Sequence, residues 1–505
     1  MNKLKKEENI ILLIITAISL ILCSAFLQMH YSSDTYCLIK WGYFEYPSHY
    51  FLLDGRLIST AVCYLAGALK ISYNVYIIGM DIIGILLLSL SVWVMYKTLA
   101  KIMKIEKLPH KIMLILSTYV LIYNQFSLEF LLFPESAVMC LGVFTSILAA
   151  TQIVTENKYK YLKIAGLMFV STFSYQGLIN IFFTLSILLL IIKQEFENKH
   201  LKEIIVPTIK EILKIVIILL IVVIINVITI KIGVIKIGDD SKRVIEINNV
   251  EALSKRLKEV TIYLNEIWNN SMNMLPRHIN SIVVILTILL ILKYKKERKV
   301  ELILKYIFLN LCIMAVCIAP MFIFNTGICG RVNVPIAEIW GISLILILML
   351  TNQNNEKFQN NGNHQNKIVY AIIIISFIFN SIMILQNTSE HIAANRVDQA
   401  LGKTIKYALE KYEKESGNTI TKFAYAFDET PEQYSEGIKP IGSLTERKFA
   451  CPWCLQEAVE YYCDRKLELV KMPMNIFSNF QKEDYTEFSE EQLVFSNNTL
   501  YILVY

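Results

Sequence analysis

The chain has 505 residues, of which 55% are hydrophobic and 18% charged, with a formal net charge of +6. So apolar a composition excludes an ordinary soluble protein of this length, and lysines scattered through short segments exclude a nucleic-acid surface. The apolar residues come in blocks of about 20, the length that crosses a ~30 Å hydrocarbon core as a helix.

The first block, 10–29, follows MNKLKKEEN and has no small-residue cleavage site, which predicts an uncleaved span. Further spans are expected at 75–96, 112–124, 135–153, 162–174, 177–192, 213–232, 279–292, 303–324, 336–350 and 368–387. Basic segments at 97–111, 156–163, 193–214 and 293–299 belong in the cytoplasm with the N-terminus. The alternation holds only if 56–72 does not cross, so LISTAVCYLAGALKI is expected on the outer surface. Eleven crossings then put the residues after 390 outside.

With this topology the unusual polar residues fall on one side. SSDTYCLIKWGYFEYPSHYFLLDGRLIST (32–60) places Asp34, Asp54 and Arg56 in the first external loop, 30–74. Glu129 and Glu135 flank FLLFP in the second, Tyr175 and Gln176 sit in the short turn SYQG, and Arg331 lies in NTGICGRVNVP. Each alone reads equally well as a helix end at the interface; the set does not, because charges at a membrane edge are costly. Asp81 and Asn226, inside spans, are expected to line a cavity or to pair with a neighbouring helix.

Between spans, NNVEALSKRLKEVTIYLNEIWNNS reads as an amphipathic or solvated helix, and 351–367 as a flexible polar loop. The tail reads as a small α/β unit: a helix with Val397, Leu401, Ile405 and Leu409 on one face, strands at ITKFAYAFD and NTLYILVY, and a second helix near WCLQEAVEYYC. Its Cys451, Cys454 and Cys463 lack the second half of a zinc site, and a disulfide between two of them is the leading expectation for an external domain. The tail is expected on the outer face, helping to hold an acceptor glycan, but no residue in it announces chemistry.

A carboxylate at an external membrane face suits a general base towards a sugar hydroxyl, and an arginine suits a phosphate in a bidentate fork. SSDTY…DGRLIST, LLFPESAV, STFSYQG and GRVNVP, in this order over residues 10–390, resemble the GT-C superfamily and, more narrowly, the bacterial GtrII-type glucosyltransferases. The resemblance implies an undecaprenyl-phosphate-linked glucose donor, used on the outer face of the cytoplasmic membrane. SSDTY carries a single acid where such loops often carry two adjacent ones, which leaves the base open between Asp34 and Asp54.

The expected fold is mainly α: a polytopic, GT-C-like transmembrane bundle (1–390) with a small external α/β C-terminal domain (391–505). The expected function is transfer of a sugar, glucose by resemblance, from a polyprenyl-phosphate donor to an extracellular or cell-envelope polysaccharide. Asp34 and Asp54 are the expected catalytic acids, Arg56 and Arg331 the donor-phosphate ligands, and Glu135, Tyr175 and Gln176 the sugar pocket. No metal site and no cofactor is expected. The partners are the lipid bilayer, the lipid-linked donor and a polysaccharide or cell-wall glycan acceptor. The rival readings are a polysaccharide polymerase or ligase of the same face, and a transporter or lipid flippase. A transporter would carry its polar groups at mid-bilayer in paired, broken helices.

Overall fold

The computed structural model describes residues 2–504 apart from 198–200, 238–248, 296, 324–328, 358–361, 428–437, 439 and 481–487. Its helices are α1 (Asn2–Leu22), α2 (Ser33–His49), α3 (Leu57–Ala68), α4 (Tyr73–Ile102), α5 (Leu108–Ile122), α6 (Ser136–Ile153), α7 (Lys160–Ser174) and α8 (Ile179–Phe196). They continue as α9 (Leu201–Ile237), α10 (Val250–Asn265), α11 (Ile279–Tyr294), α12 (Lys299–Ile323), α13 (Val334–Lys357), α14 (Gly362–Ser416), α15 (Leu455–Cys463) and α16 (Met474–Phe480). Each segment expected to span falls on a helix. Seven helices among the described residues are long and apolar enough to cross a membrane: α4, α6, α8, α9, α12, α13 and α14. Helices α5 and α11, with 15 and 16 residues, are apolar but shorter.

Helix α13 is buried along almost all of Val334–Asn352, with Trp340 and Asn352 partly covered, which makes it the axis of the bundle. Helix α9 is peripheral: Ile217, Leu220, Ile221, Ile224 and Ile228 are all exposed along it. A continuous exposed row of isoleucine and leucine is a surface for lipid rather than water. Helix α3 has 12 residues, about 18 Å at 1.5 Å per residue, too short for a ~30 Å core.

Ion pairs mark one end of the bundle. Lys97 meets Glu8 at 3.0 Å, Lys111 meets Glu7 at 2.9 Å, and Glu195 holds Lys295 at 2.9 Å and Lys305 at 2.7 Å. The links 50–56, 123–135, 175–178 and 329–333 gather at the other end. Helix α10 lies against that end. Its Arg256 Nε donates to the Met321 carbonyl at 2.7 Å, and the Tyr263 hydroxyl accepts from Asn333 Nδ2.

In the tail, β1 (Lys422–Phe427), β2 (Glu468–Leu469), β3 (Leu493–Ser496) and β4 (Thr499–Val504) form one sheet in the order β2-β1-β4-β3. Strand β1 pairs parallel with β2 and β4, whereas β3 and β4 are antiparallel. Leu401, Ile405 and Leu409 of α14 pack with Phe423, Leu500, Ile502, Leu455 and Val459 in its core. Helix α14 runs unbroken through the expected boundary at 390/391. The polar segment 351–367, read as a loop, is instead the end of α13 and the start of α14, with 358–361 outside the described residues. Asn and Gln side chains are compatible with helical turns beyond a span, so polarity alone did not mark a break.

The tail docks on α2. The Tyr36 and Tyr462 hydroxyls are 2.8 Å apart, and Lys40 Nζ sits 3.1 Å from Glu457 and 3.3 Å from Glu460.

Candidate active site

SSDTY folds as a helix start. The Ser32 hydroxyl accepts from the Thr35 N–H at 3.2 Å, and the Thr35 hydroxyl accepts from the Ser32 N–H at 3.0 Å. That capping box sets Asp34 in the first turn of α2, where the helix dipole favours a carboxylate. Among the described residues, no lysine or arginine nitrogen is within ion-pair distance of Asp34. Burial raises its pKa, opposed by the charges of Arg56, Arg331 and Lys448 and by the Tyr46 hydroxyl beside it.

Twenty residues on, the turn after α2 closes through the Arg56 N–H, which donates to the Phe51 carbonyl at 2.9 Å. Gly55 takes φ +67°, and a Cβ there would lie 2.9 Å from both Asn226 Nδ2 and Ile230 Cγ1 of α9. Glycine is thus required for conformation and for space. The turn aims Arg56 inward. Its Nη2 is 3.0 Å from Asp54 Oδ2, its Nη1 is 2.9 Å from Glu135 Oε1, and its Cζ stands 5.0 Å from the centre of the Tyr175 ring. Gln176 Nε2 donates to the Asp54 carbonyl. Arg56 Nε and Glu135 Oε2 are buried and have no hydrogen-bond partner among the described residues. Glu135 caps α6 just ahead of the span; burial raises its pKa, with Asp34 the next cause and Arg56 opposing.

Arg331 forms the second node. Its Nε donates to the Tyr175 hydroxyl at 3.1 Å, its Cζ stands 4.5 Å from the centre of the Phe133 ring, and its Nη1 is 3.5 Å from Glu129 Oε2. Glu129, wholly buried, also accepts from the Arg331 N–H at 3.0 Å and, through Oε1, from the Ser443 N–H at 3.1 Å. Tyr175 thereby touches both guanidinium groups. The seven residues expected to form the site lie together at this end: Asp34, Asp54, Arg56, Glu135, Tyr175, Gln176 and Arg331. Among the described residues, no group of three or more His, Cys, Asp or Glu side chains is arranged to hold a metal ion.

Other residues there were not anticipated in these roles. Glu129 was noted only as a flank of FLLFP, yet it joins Arg331 to the tail. Asn226 reaches the turn itself, its Nδ2 3.4 Å from the Gly55 carbonyl. Asp81 pairs with His30, whose Nε2 is 2.9 Å from Asp81 Oδ2. The tail, where no chemistry was read, brings Ser443 to Arg331 and Glu129. The anticipated disulfide is also absent: Cys451, Cys454 and Cys463 are buried free thiols. The first two instead donate to main-chain carbonyls, Cys451 Sγ to Arg447 at 3.2 Å and Cys454 Sγ to Lys448 at 3.4 Å. Cys463 belongs to a separate apolar core.

Bundle and site together define a membrane protein of many helices, with two arginines and four carboxylates gathered at one end. The family model described as Glucosyl transferase GtrII matches residues 53–329, more than half of the chain, and the chain belongs to that family. It is therefore a membrane glycosyltransferase. The match is narrower than the 10–390 of the motif resemblance. It takes in Asp54, Arg56, Glu129, Glu135, Tyr175 and Gln176, and leaves out Asp34, Arg331 and the tail. A comparison with curated proteins returned no match.

Proposed function

We propose that the protein transfers glucose from a polyprenyl-phosphate donor to an extracellular or cell-envelope polysaccharide, at the outer face of the cytoplasmic membrane. Asp34 is the general base. It takes the proton of the acceptor hydroxyl as that oxygen bonds to the anomeric carbon. The bond from that carbon to the phosphate oxygen breaks, and the polyprenyl phosphate leaves with the electron pair. Arg56 and Arg331 receive the leaving phosphate, each pre-aligned by its own carboxylate, so little reorganisation accompanies the charge transfer. Asp54 positions Arg56, and Glu135, Tyr175 and Gln176 wall the sugar site.

The observation that supports this assignment most is the contrast between the two aspartates. Asp54 is engaged in an ion pair with Arg56, whereas among the described residues no cation lies within ion-pair distance of Asp34, which faces the same site. A base must be free to accept a proton, and an ion-paired carboxylate is the poorer acceptor. The test is Asp34→Asn in membranes supplied with polyprenyl-phosphate glucose and cell-envelope polysaccharide. Transfer should fall at least about 100-fold with protein level unchanged, the loss typical of a general base. Near-normal transfer by this variant would exclude Asp34 as the base.

A further inference from the structure

Lys448 opens a short 3-10 turn in the tail, Lys448–Ala450, and only 1% of its surface is exposed. Its main chain is held on both sides. The N–H donates to Asp398 Oδ2 at 3.0 Å, and the carbonyl accepts from the Cys451 N–H at 3.3 Å and from Cys454 Sγ. Asp398 also takes Arg447 Nε at 2.8 Å. The ammonium group is held far less completely. Among the described residues its one bonded partner is the Glu446 carbonyl, at 2.6 Å, and no carboxylate lies within ion-pair distance. An ammonium carries three N–H donors, so this buried cation retains donors to spare. A buried charge without a counter-ion is costly unless an anion reaches it.

Its place points to which anion. Five residues earlier, Ser443 lies against the reaction centre: its N–H donates to Glu129 Oε1, and its Oγ is 3.5 Å from Arg331 Nη1. Lys448 acts on the Asp34 carboxylate together with Arg56 and Arg331. Arg56 and Arg331 each have a carboxylate partner, whereas among the described residues Lys448 and Asp34 have no oppositely charged group within ion-pair distance. The acceptor hydroxyl meets Asp34 in the function proposed above, which leaves an anionic oxygen of the donor as the group that fits Lys448.

The segment is anchored from behind by a buried chain of rings. The Leu444 carbonyl can only accept, so His391 Nδ1, 2.7 Å away, donates to it. In the neutral ring His391 Nε2 then accepts from His30 Nδ1 at 3.1 Å, and His30 Nε2, left as an acceptor, takes its hydrogen bond at 2.9 Å from Asp81 Oδ2 as a neutral carboxyl group. Burial, and after it the charge of Lys448, push the His30 pKa down to about 3, so this ring is neutral. Asp81, His30 and His391 are all at most 1% exposed. The chain thus runs from α4 through α14 to the loop that begins at Gly442.

We propose that the C-terminal tail completes the donor site: Lys448 is a third cationic ligand for the donor's phosphate, and the Asp81–His30–His391 chain positions the segment that carries it. The inference rests on the lipid-phosphate donor proposed above. Lys448 lies outside the segment matched by the family model, so family membership does not speak for it.

The test uses the full-length protein in lipid nanodiscs, titrated calorimetrically with polyprenyl-phosphate glucose and, as comparator, a polyprenyl glucoside lacking phosphate. Lys448→Met should weaken binding of the phosphate donor at least tenfold and leave the comparator unchanged, whereas Lys448→Arg should stay within threefold of wild type. His391→Leu should produce the same selective loss, and His391→Asn, which keeps an N–H for the Leu444 carbonyl, should largely restore binding. The double variant Lys448→Met/His391→Leu should be no worse than Lys448→Met alone, as expected for residues acting through one contact. Wild-type protein that fails to bind the phosphate donor would overturn the donor assignment and this inference with it. Wild-type binding with equal affinity in Lys448→Met overturns this inference alone. If Lys448→Met does not accumulate as folded protein, His391→Leu decides: unchanged donor affinity there refutes the proposal, and a selective tenfold loss sustains it.

Discussion

Glu129→Gln removes one charge and almost no volume at the point where three chain segments meet. Both carboxylate oxygens accept main-chain N–H groups, from Arg331 at 3.0 Å and from Ser443 at 3.1 Å. A glutamine offers one oxygen and one NH2, so one of these N–H groups must face a donor. Losing a hydrogen bond to a charged acceptor costs about 1.5–3 kcal/mol. The Arg331 guanidinium also loses its carboxylate. Breaking a fully buried pair costs about 3–5 kcal/mol, but the Arg331 side chain is 22% exposed and solvent screens part of that. A combined loss of about 2–4 kcal/mol corresponds to a fall of about 30- to 1000-fold in kcat/KM for the donor.

The assay is steady-state transfer from polyprenyl-phosphate glucose in proteoliposomes, paired with thermal unfolding of the purified variant. The donor KM should carry much of the loss, because Arg331 remains charged but is no longer aligned. Glu129→Asp should fail similarly, since a side chain shorter by one methylene cannot reach both N–H groups. A Glu129→Gln enzyme with kcat/KM within threefold of wild type would refute the assignment of Glu129 as the joint between Arg331 and the tail.

Arg56→Lys and Arg331→Lys keep the charge but not the planar fork. Each should raise the donor KM and lower kcat with protein level unchanged, and wild-type kinetics in both would remove the arginines from the phosphate site. For pH, the base works ionised and burial raises the Asp34 pKa, so transfer should fall with acidification at a midpoint above the ~3.9 of a free aspartate. The groups that set this limb are Arg56, Arg331, Lys448 and Tyr46, which lower the Asp34 pKa, with Glu135 as the neighbouring acid. Lys448→Met should therefore move the limb to higher pH, and a limb unmoved by that change would separate Lys448 from Asp34. Single cysteines near 100 and 296, in a background without the native thiols, should resist an impermeant thiol reagent on intact cells, while cysteines near 260 and 420 react. Labelling near 100 would break the one-sided topology.

Much of the bundle was legible because a membrane span is written locally, in some twenty consecutive apolar residues. The first half of the site was legible for a similar reason. Asp34, Asp54 and Arg56 stand together in one loop, and charges beside spans are conspicuous. Partnerships across the chain were not legible. Whether Glu129 or Glu135 takes Arg331 depends on how the 123–135 link folds over the end of α13, and both acids border the same FLLFP. Asp81 and Asn226 looked isolated because their partners lie 51 and 171 positions away. The tail residues were hidden further: Ser443 reaches Glu129 across 314 positions, and His391 reaches His30 across 361. Cys451 and Cys454 lie beside each other as free thiols, and each also donates to a main-chain carbonyl, of Arg447 and of Lys448, so a C-x-x-C pattern here marks two neighbouring thiols without a bond between the sulfurs.

The way the charges are paired also narrows a choice that the sequence left open. Four carboxylates and two guanidinium groups meet at this end of the bundle, yet they are not mutually saturated. Asp54 and Glu135 bracket Arg56, and Glu129 holds Arg331 from its main chain and its side chain. Both arginines are thereby aimed before any ligand arrives, which is the condition for a phosphate clamp to favour the leaving group without rearranging. The same pairing is the ground for proposing neither Asp54 nor Glu129 as the proton acceptor, since each is committed to a cation or to main-chain N–H groups. Glu135 keeps one unpartnered oxygen but is wholly buried against Arg56. Of these four carboxylates, Asp34 is the one that combines partial exposure and a place in a capped helix turn with no lysine or arginine nitrogen in ion-pair range among the described residues. A second acid beside it in SSDTY would have had to share this one helix start with it. Here Thr35, on one side of Asp34, is engaged with Ser32 in the capping box, and a serine, Ser33, stands on the other side.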